Sequence, residues 1–225
     1  MNAPHTSIAH LGNAACVLLA AISGSIAAQL PGFQSWMLQS YYIMPLVFLA
    51  LLTTAYLLEH ALTTSAILLL LACAAVSAGL CLGGFGLNGA ALTWQITAGP
   101  LCYFAAAALV LHHWTDQLYR WQICCILTLA GLAGAALACW VTGGTPVHTI
   151  CALLFTCSVA TFELIVLFGK DYYEITSASR ARSTALAMLM LQAKPVCKII
   201  WNSLLVSRYG IVGLLRFIYH WFRWM

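Results

Sequence analysis

Charged side chains are scarce in this sequence. Asp, Glu, Lys and Arg make up 6% of its 225 residues, and 63% are hydrophobic. Soluble domains carry about a quarter charged residues, so a water-facing fold is excluded and an integral membrane protein is indicated. The length suits six or seven spans of about 20 residues each and leaves no room for a separate soluble domain. Other absences narrow the function. No N-x-[ST] glycosylation acceptor occurs. None of the ten cysteines forms a CxxC pair, and most fall in apolar runs, where they behave as small apolar residues. A disulfide framework or metal site is therefore unsupported. No phosphate loop, nucleophile elbow or HExxH is present. The expectation is a non-enzyme with no cofactor and no nucleic-acid partner. The opening stretch MNAPHTSIAHLGN lacks the basic flank of a signal peptide, so the first apolar run is read as a retained span.

What is present is a series of apolar runs with clear punctuation. Six spans are expected, at roughly 8–29, 40–58, 62–83, 90–112, 121–142 and 147–169. Breaks fall at LPGF, Glu59-His60, GGFG, His112-His113 and TGGTP. Inside a bilayer each segment must satisfy its own backbone polar groups, which makes these helices. The fold class is an all-α polytopic bundle with six to seven spans. Eight of the nine Lys and Arg residues lie from Lys170 onward, and the other is Arg120. Both places follow an even-numbered span, so the positive-inside rule puts that side and the N-terminus in the cytosol. An endomembrane is favoured over the plasma membrane.

The segment 183–206 is long enough for a seventh span but carries Lys194-Pro195 and Lys198 near its middle. It reads either as a kinked span with its lysines turned inward or as two interfacial helices. After a bundle over 1–206, residues 207–225 form a tail in which Arg208, Arg216, His220 and Arg223 share one helical face. That is the pattern of a basic amphipathic helix on a membrane surface. The alternative is a terminal helix packed on the bundle.

Small residues at Ala130, Gly131, Gly134 and Ala135, and again at Ala20, Gly24 and Ala28, allow close helix approach. Packing within the chain is favoured over dimerisation. The histidines are scattered, and His60, His112 and His113 fall at span ends, an imperfect arrangement for haem ligation. Of the five carboxylates, Glu59 and Asp116 sit at span ends, where solvation is easy. Glu163 is different. It lies inside an apolar run, about two turns before Gly169-Lys170. An acid at membrane depth is costly unless it has a partner or a task. Two readings stay open: an acid that locks two helices together, with Arg180, Arg182 or Lys194 as its partner, or an acid lining a gated pathway for protons or cations.

The stretch FELIVLFGKDYYEITSASRAR at 162–182 leads into the small-residue-rich STALAML, and QITAGPLCYFAAAALVLHHWTDQLYRWQ carries Asp116 after a long apolar helix. This pattern, over most of residues 10–193, resembles the Bax-inhibitor-motif (LFG-like) seven-transmembrane family, and most of all its divergent cytomegalovirus unique-short-region members. The resemblance implies a modulator of cell death, calcium balance or immune recognition. In that family an aspartate of the sixth helix pairs with one of the seventh to close a calcium leak in a pH-sensitive way. Glu163 matches the first, but no acid occurs between Leu186 and Met190, where the second would fall. Three functions follow as expectations. The first is a membrane modulator acting through contacts with other membrane proteins in the bilayer. The second is a calcium or proton leak gated at Glu163, with Gln95 and Thr97 as further polar groups. The third is an anchor subunit of a respiratory or transport complex. The oligomeric state is left open.

Overall fold

The computed structural model describes residues 3–40, 42–58, 61–84, 89–114 and 117–168. Within these the chain is all helix: α1 (Ala3–Ala27), α2 (Pro31–Gln39), α3 (Ile43–Leu57), α4 (Thr64–Gly84), α5 (Gly89–His113), α6 (Arg120–Val141) and α7 (Pro146–Phe168). The expected seventh span at 183–206 and the tail at 207–225 lie outside the described residues.

Among the described residues four helices, α1, α4, α5 and α6, are long and apolar enough to cross a membrane. The count is five if α2 and α3, which meet at a sharp bend, form one broken span. The expected second span at 40–58 corresponds to α3, but α3 has only 15 residues and α2 precedes it. Pro31 explains the separate start of α2, because proline at the first helical position costs no intrahelical bond. Gln34 of α2 donates to the Ala28 carbonyl at 2.6 Å, capping the end of α1. The expected sixth span corresponds to α7, a 23-residue helix.

Local signals set the helix ends. Gln122 accepts the Tyr119 backbone N–H at 2.9 Å where α6 begins. At its other end Gly143 takes a φ of +66°, and the Gly144 N–H reaches the Cys139 carbonyl at 2.7 Å. A left-handed residue there favours glycine and ends the helix. Thr145 then accepts the His148 N–H at 3.3 Å, with Pro146 opening α7.

Contacts between helices give their directions. Ala20 meets Gly79 and Gly24 meets Gly83, so α1 and α4 run parallel. Gly24 meets Thr93 and His10 meets Phe104, so α1 and α5 run antiparallel. Gln95 meets Thr142 and Cys102 meets Gly134, so α6 opposes α5. Thr156 of α7 touches both Gly99 and Gly131. One end of the bundle therefore collects the start of α1, the end of α5, the start of α6 and the end of α7.

Glycine makes these approaches possible. A methyl added at Gly24 would lie 2.7 Å from the Gly79 carbonyl oxygen, and one at Gly134 would lie 2.5 Å from Cys102 Sγ. The small residues singled out in the sequence thus pack helices of the same chain. Ser25, Thr97 and Thr156 donate to the carbonyl four residues back, which satisfies their hydroxyls inside their own helices. Outward faces are apolar: Leu18, Ile22, Ile126, Leu137, Ile150 and Leu154 are all exposed. Such faces suit hydrocarbon rather than water. The chain is a multi-pass membrane helical protein, in contact with the lipid bilayer.

Candidate functional site

Buried residues on α7 recur at Ala152, Thr156, Ala160 and Glu163. Steps of four, four and three residues keep one face inward, so the stripe that packs α7 carries its acid into the bundle. Glu163 is 3% exposed. On α1 the inward face carries His10, Asn13 and Ala14, while Leu11 and Leu18 point outward. On α5 it carries Pro100, Tyr103, Phe104, Ala107 and Leu111.

These three faces meet around one polar centre. His10 Nδ1 lies 3.8 Å from Glu163 Oε2, and His10 is 1% exposed. The separation allows charge pairing but exceeds hydrogen-bond reach. Phe104 stacks on the imidazole with ring centroids 6.2 Å apart, and Tyr103 packs edge-on to Phe104 at 5.6 Å. Asn13 sits one turn along α1 from His10 and is also buried. His10 Nδ1 and Nε2, Asn13 Nδ2 and Tyr103 Oη all lack a hydrogen-bond partner in the protein. Buried polar groups are nearly always paired with protein or water, so these unpartnered atoms, with His10 directly beside the Glu163 carboxylate, mark a place suited to water or a small polar ligand. Toward the end of the bundle at which α7 finishes, Ala107, Val110, Leu111 and Ile123 pack with Tyr103 and Phe104 in one apolar cluster.

A second polar contact lies toward the opposite end. Gln95 Nε2 donates to Thr142 Oγ1 at 2.8 Å, and Thr142 Oγ1 donates to the Ala138 carbonyl at 2.7 Å. With its proton committed, the threonine oxygen can only accept from the amide, which fixes the Gln95 orientation. Gln95 Oε1 is then left buried without a partner. Thr97, expected beside Gln95 in a polar path, donates instead to the Thr93 carbonyl at 2.7 Å.

Glu163 is thus interior, as the sequence implies, and faces His10 of α1. Arg180, Arg182 and Lys194, the partners considered for it, lie outside the described residues, as do Arg208, Arg216, His220 and Arg223. His112 and His113 are exposed at the end of α5. His10, Asn13 and Tyr103 were not singled out from the sequence. The signal was present, because His10, Asn13 and Ala14 share the face opposite Leu11 and Leu18. Compared with family models, curated proteins and solved structures, the chain matches none.

Proposed function

We propose that this multi-pass membrane protein is a gated leak for protons or cations, and that Glu163 is the group on which the gate turns. The observation that carries the reading is the buried pair of Glu163 with His10 between α7 and α1. An ionisable residue inside a membrane bundle is a functional-site candidate by default. The surrounding unpartnered polar atoms supply a place for the conducted species, and the apolar packing beside them is the kind of constriction that gates by excluding water. Arg120 opens α6 at the same end of the bundle, which supports placing that end in the cytosol.

Flux of calcium and of protons into proteoliposomes tests this, with wild type compared against Glu163→Gln. The reading expects flux in wild type and its loss in the variant. Flux unchanged by the substitution removes Glu163 from the gate.

A second reading is a modulator of cell death, calcium balance or immune recognition acting through contacts in the bilayer. It rests on the resemblance to the Bax-inhibitor-motif family and on the apolar outer faces of α1, α6 and α7, which suit a membrane-embedded partner as well as lipid. Recovery of a defined membrane protein with the wild-type chain, lost when Ile126 and Leu137 are changed, supports this reading. Recovery unaffected by those changes counts against it.

A further inference from the structure

We propose that the species handled at the His10–Glu163 centre is a proton carried through bound water, with His10 as its second carrier, and that divalent cations are rejected. This rests on the leak reading above and names its substrate.

The donor set decides the class of ligand. Calcium takes six to eight oxygen ligands and favours several carboxylates. Among the described residues the centre offers one carboxylate, one phenol and an imidazole whose two nitrogens are poor partners for a hard cation. Among the described residues no group of three His, Cys, Asp or Glu side chains could hold a metal ion. The titratable groups at the centre, among the described residues, are His10 of α1, Tyr103 of α5 and Glu163 of α7, with Cys124 of α6 near Tyr103. A divalent ion here would keep most of its charge uncompensated in a low-dielectric interior, and would have to shed its water shell to pass the apolar packing.

The same features suit a proton. A carboxylate and an imidazole are the two side chains most used to relay protons within membranes. Their 3.8 Å separation is crossed by a small rotation of either side chain or by one bridging water. The unmet His10 nitrogens and the Glu163 carboxylate supply two or more contacts for a buried water, and Tyr103 Oη a further one. The step balances without any co-reactant. A proton from water forms an O–H bond at Glu163 Oε2. That bond breaks as His10 Nδ1 takes the proton, and the imidazolium releases the proton on Nε2 to water. A bound water that takes the Nδ1 proton as it gives one to Nε2 restores the starting tautomer.

The test uses the full chain in proteoliposomes, with a trapped pH dye under a proton gradient and a trapped calcium dye under a calcium gradient. Wild type is compared with Glu163→Gln, Glu163→Asp and His10→Asn. Melting curves are recorded for each, so that only folded variants are counted. We expect proton flux in wild type, its loss in Glu163→Gln and His10→Asn, and its partial return in Glu163→Asp. Calcium flux should equal that of empty vesicles. Calcium flux that depends on Glu163 overturns the proton assignment and leaves the leak reading standing. Proton flux of wild-type size in His10→Asn overturns the role of His10. Flux of neither ion in wild type overturns the leak reading and this inference with it. Should His10→Asn fail to fold, infrared spectra of wild type and Glu163→Gln decide. A protonated-carboxyl band present only in wild type, and shifted in heavy water, supports the relay. Its absence at every pH overturns it.

Discussion

Substituting Gly24 with alanine places a methyl where α1, α4 and α5 are in contact. The added carbon would lie 2.7 Å from the Gly79 carbonyl oxygen, 2.7 Å from Thr93 Cγ2 and 2.9 Å from Thr93 Oγ1. Ordinary carbon contacts sit near 3.5–4.0 Å, so all three neighbours are about an ångström too close. Thr93 is fully buried, and its hydroxyl is tied to the Gly89 carbonyl at 2.6 Å. The Gly79 oxygen is backbone and cannot rotate away. Relief requires α1 to move off α4 and α5. Overpacking of this kind costs about 1–3 kcal/mol. For a chain of this size each kcal/mol shifts the melting temperature by roughly 2–4 °C, so a drop of about 6 °C is expected from the middle of these ranges. Gly32→Ala is the control, because nothing lies within 4 Å of the added carbon and alanine favours helix over glycine. Thermal unfolding in detergent, followed by tryptophan fluorescence, compares the two. Gly24→Ala melting together with Gly32→Ala would refute the seam that holds α1, and with it the placement of His10.

Further outcomes follow from individual contacts. Thr142→Val removes the acceptor of Gln95 Nε2 and should destabilise by about 1–3 kcal/mol in chemical denaturation, with Gln95→Leu in the same chain recovering part of the loss. Gly99→Ala drives its methyl into Thr156 Oγ1; the melting temperature should fall, and Thr156→Ala should restore it. Tyr103→Phe deletes a hydroxyl that has no protein partner and that the relay gives to a bound water, so it should cost about 0.5–1.5 kcal/mol in the same melting assay; no cost at all would count against a water held by that oxygen.

Much of the architecture was legible because it is local. Runs of apolar residues, Pro31 and Pro146 at helix starts, and Gly143-Gly144 at a helix end act within a few residues. Glu163 was legible as an interior acid for the same reason: it interrupts an apolar run. The division of 31–57 into α2 and α3 was harder to see. Trp36, Met37 and Leu38 extend the apolar pattern, while Gln39 and Ser40 interrupt it only briefly. The partner of Glu163 was not legible, because His10 is separated from it by most of the chain. Nothing in the sequence near either residue encodes their meeting; it comes from the glycine seam that draws α1 onto α5 and from the inward stripe of α7. The partners sought in the sequence were lysines and arginines close along the chain. Asn13 and Tyr103 likewise become site residues only through the position of His10.

The central claim is that His10 and Glu163 act on each other across α1 and α7. A double-mutant cycle measures it directly, from the unfolding free energies of wild type, His10→Asn, Glu163→Gln and the double variant in one detergent. Each single substitution removes one half of the contact, so the second should cost less once the first is made. The account predicts a coupling of about 1–3 kcal/mol, within the range for contacting residues. Single effects that add to within about 0.5 kcal/mol, as for distant independent sites, would contradict it.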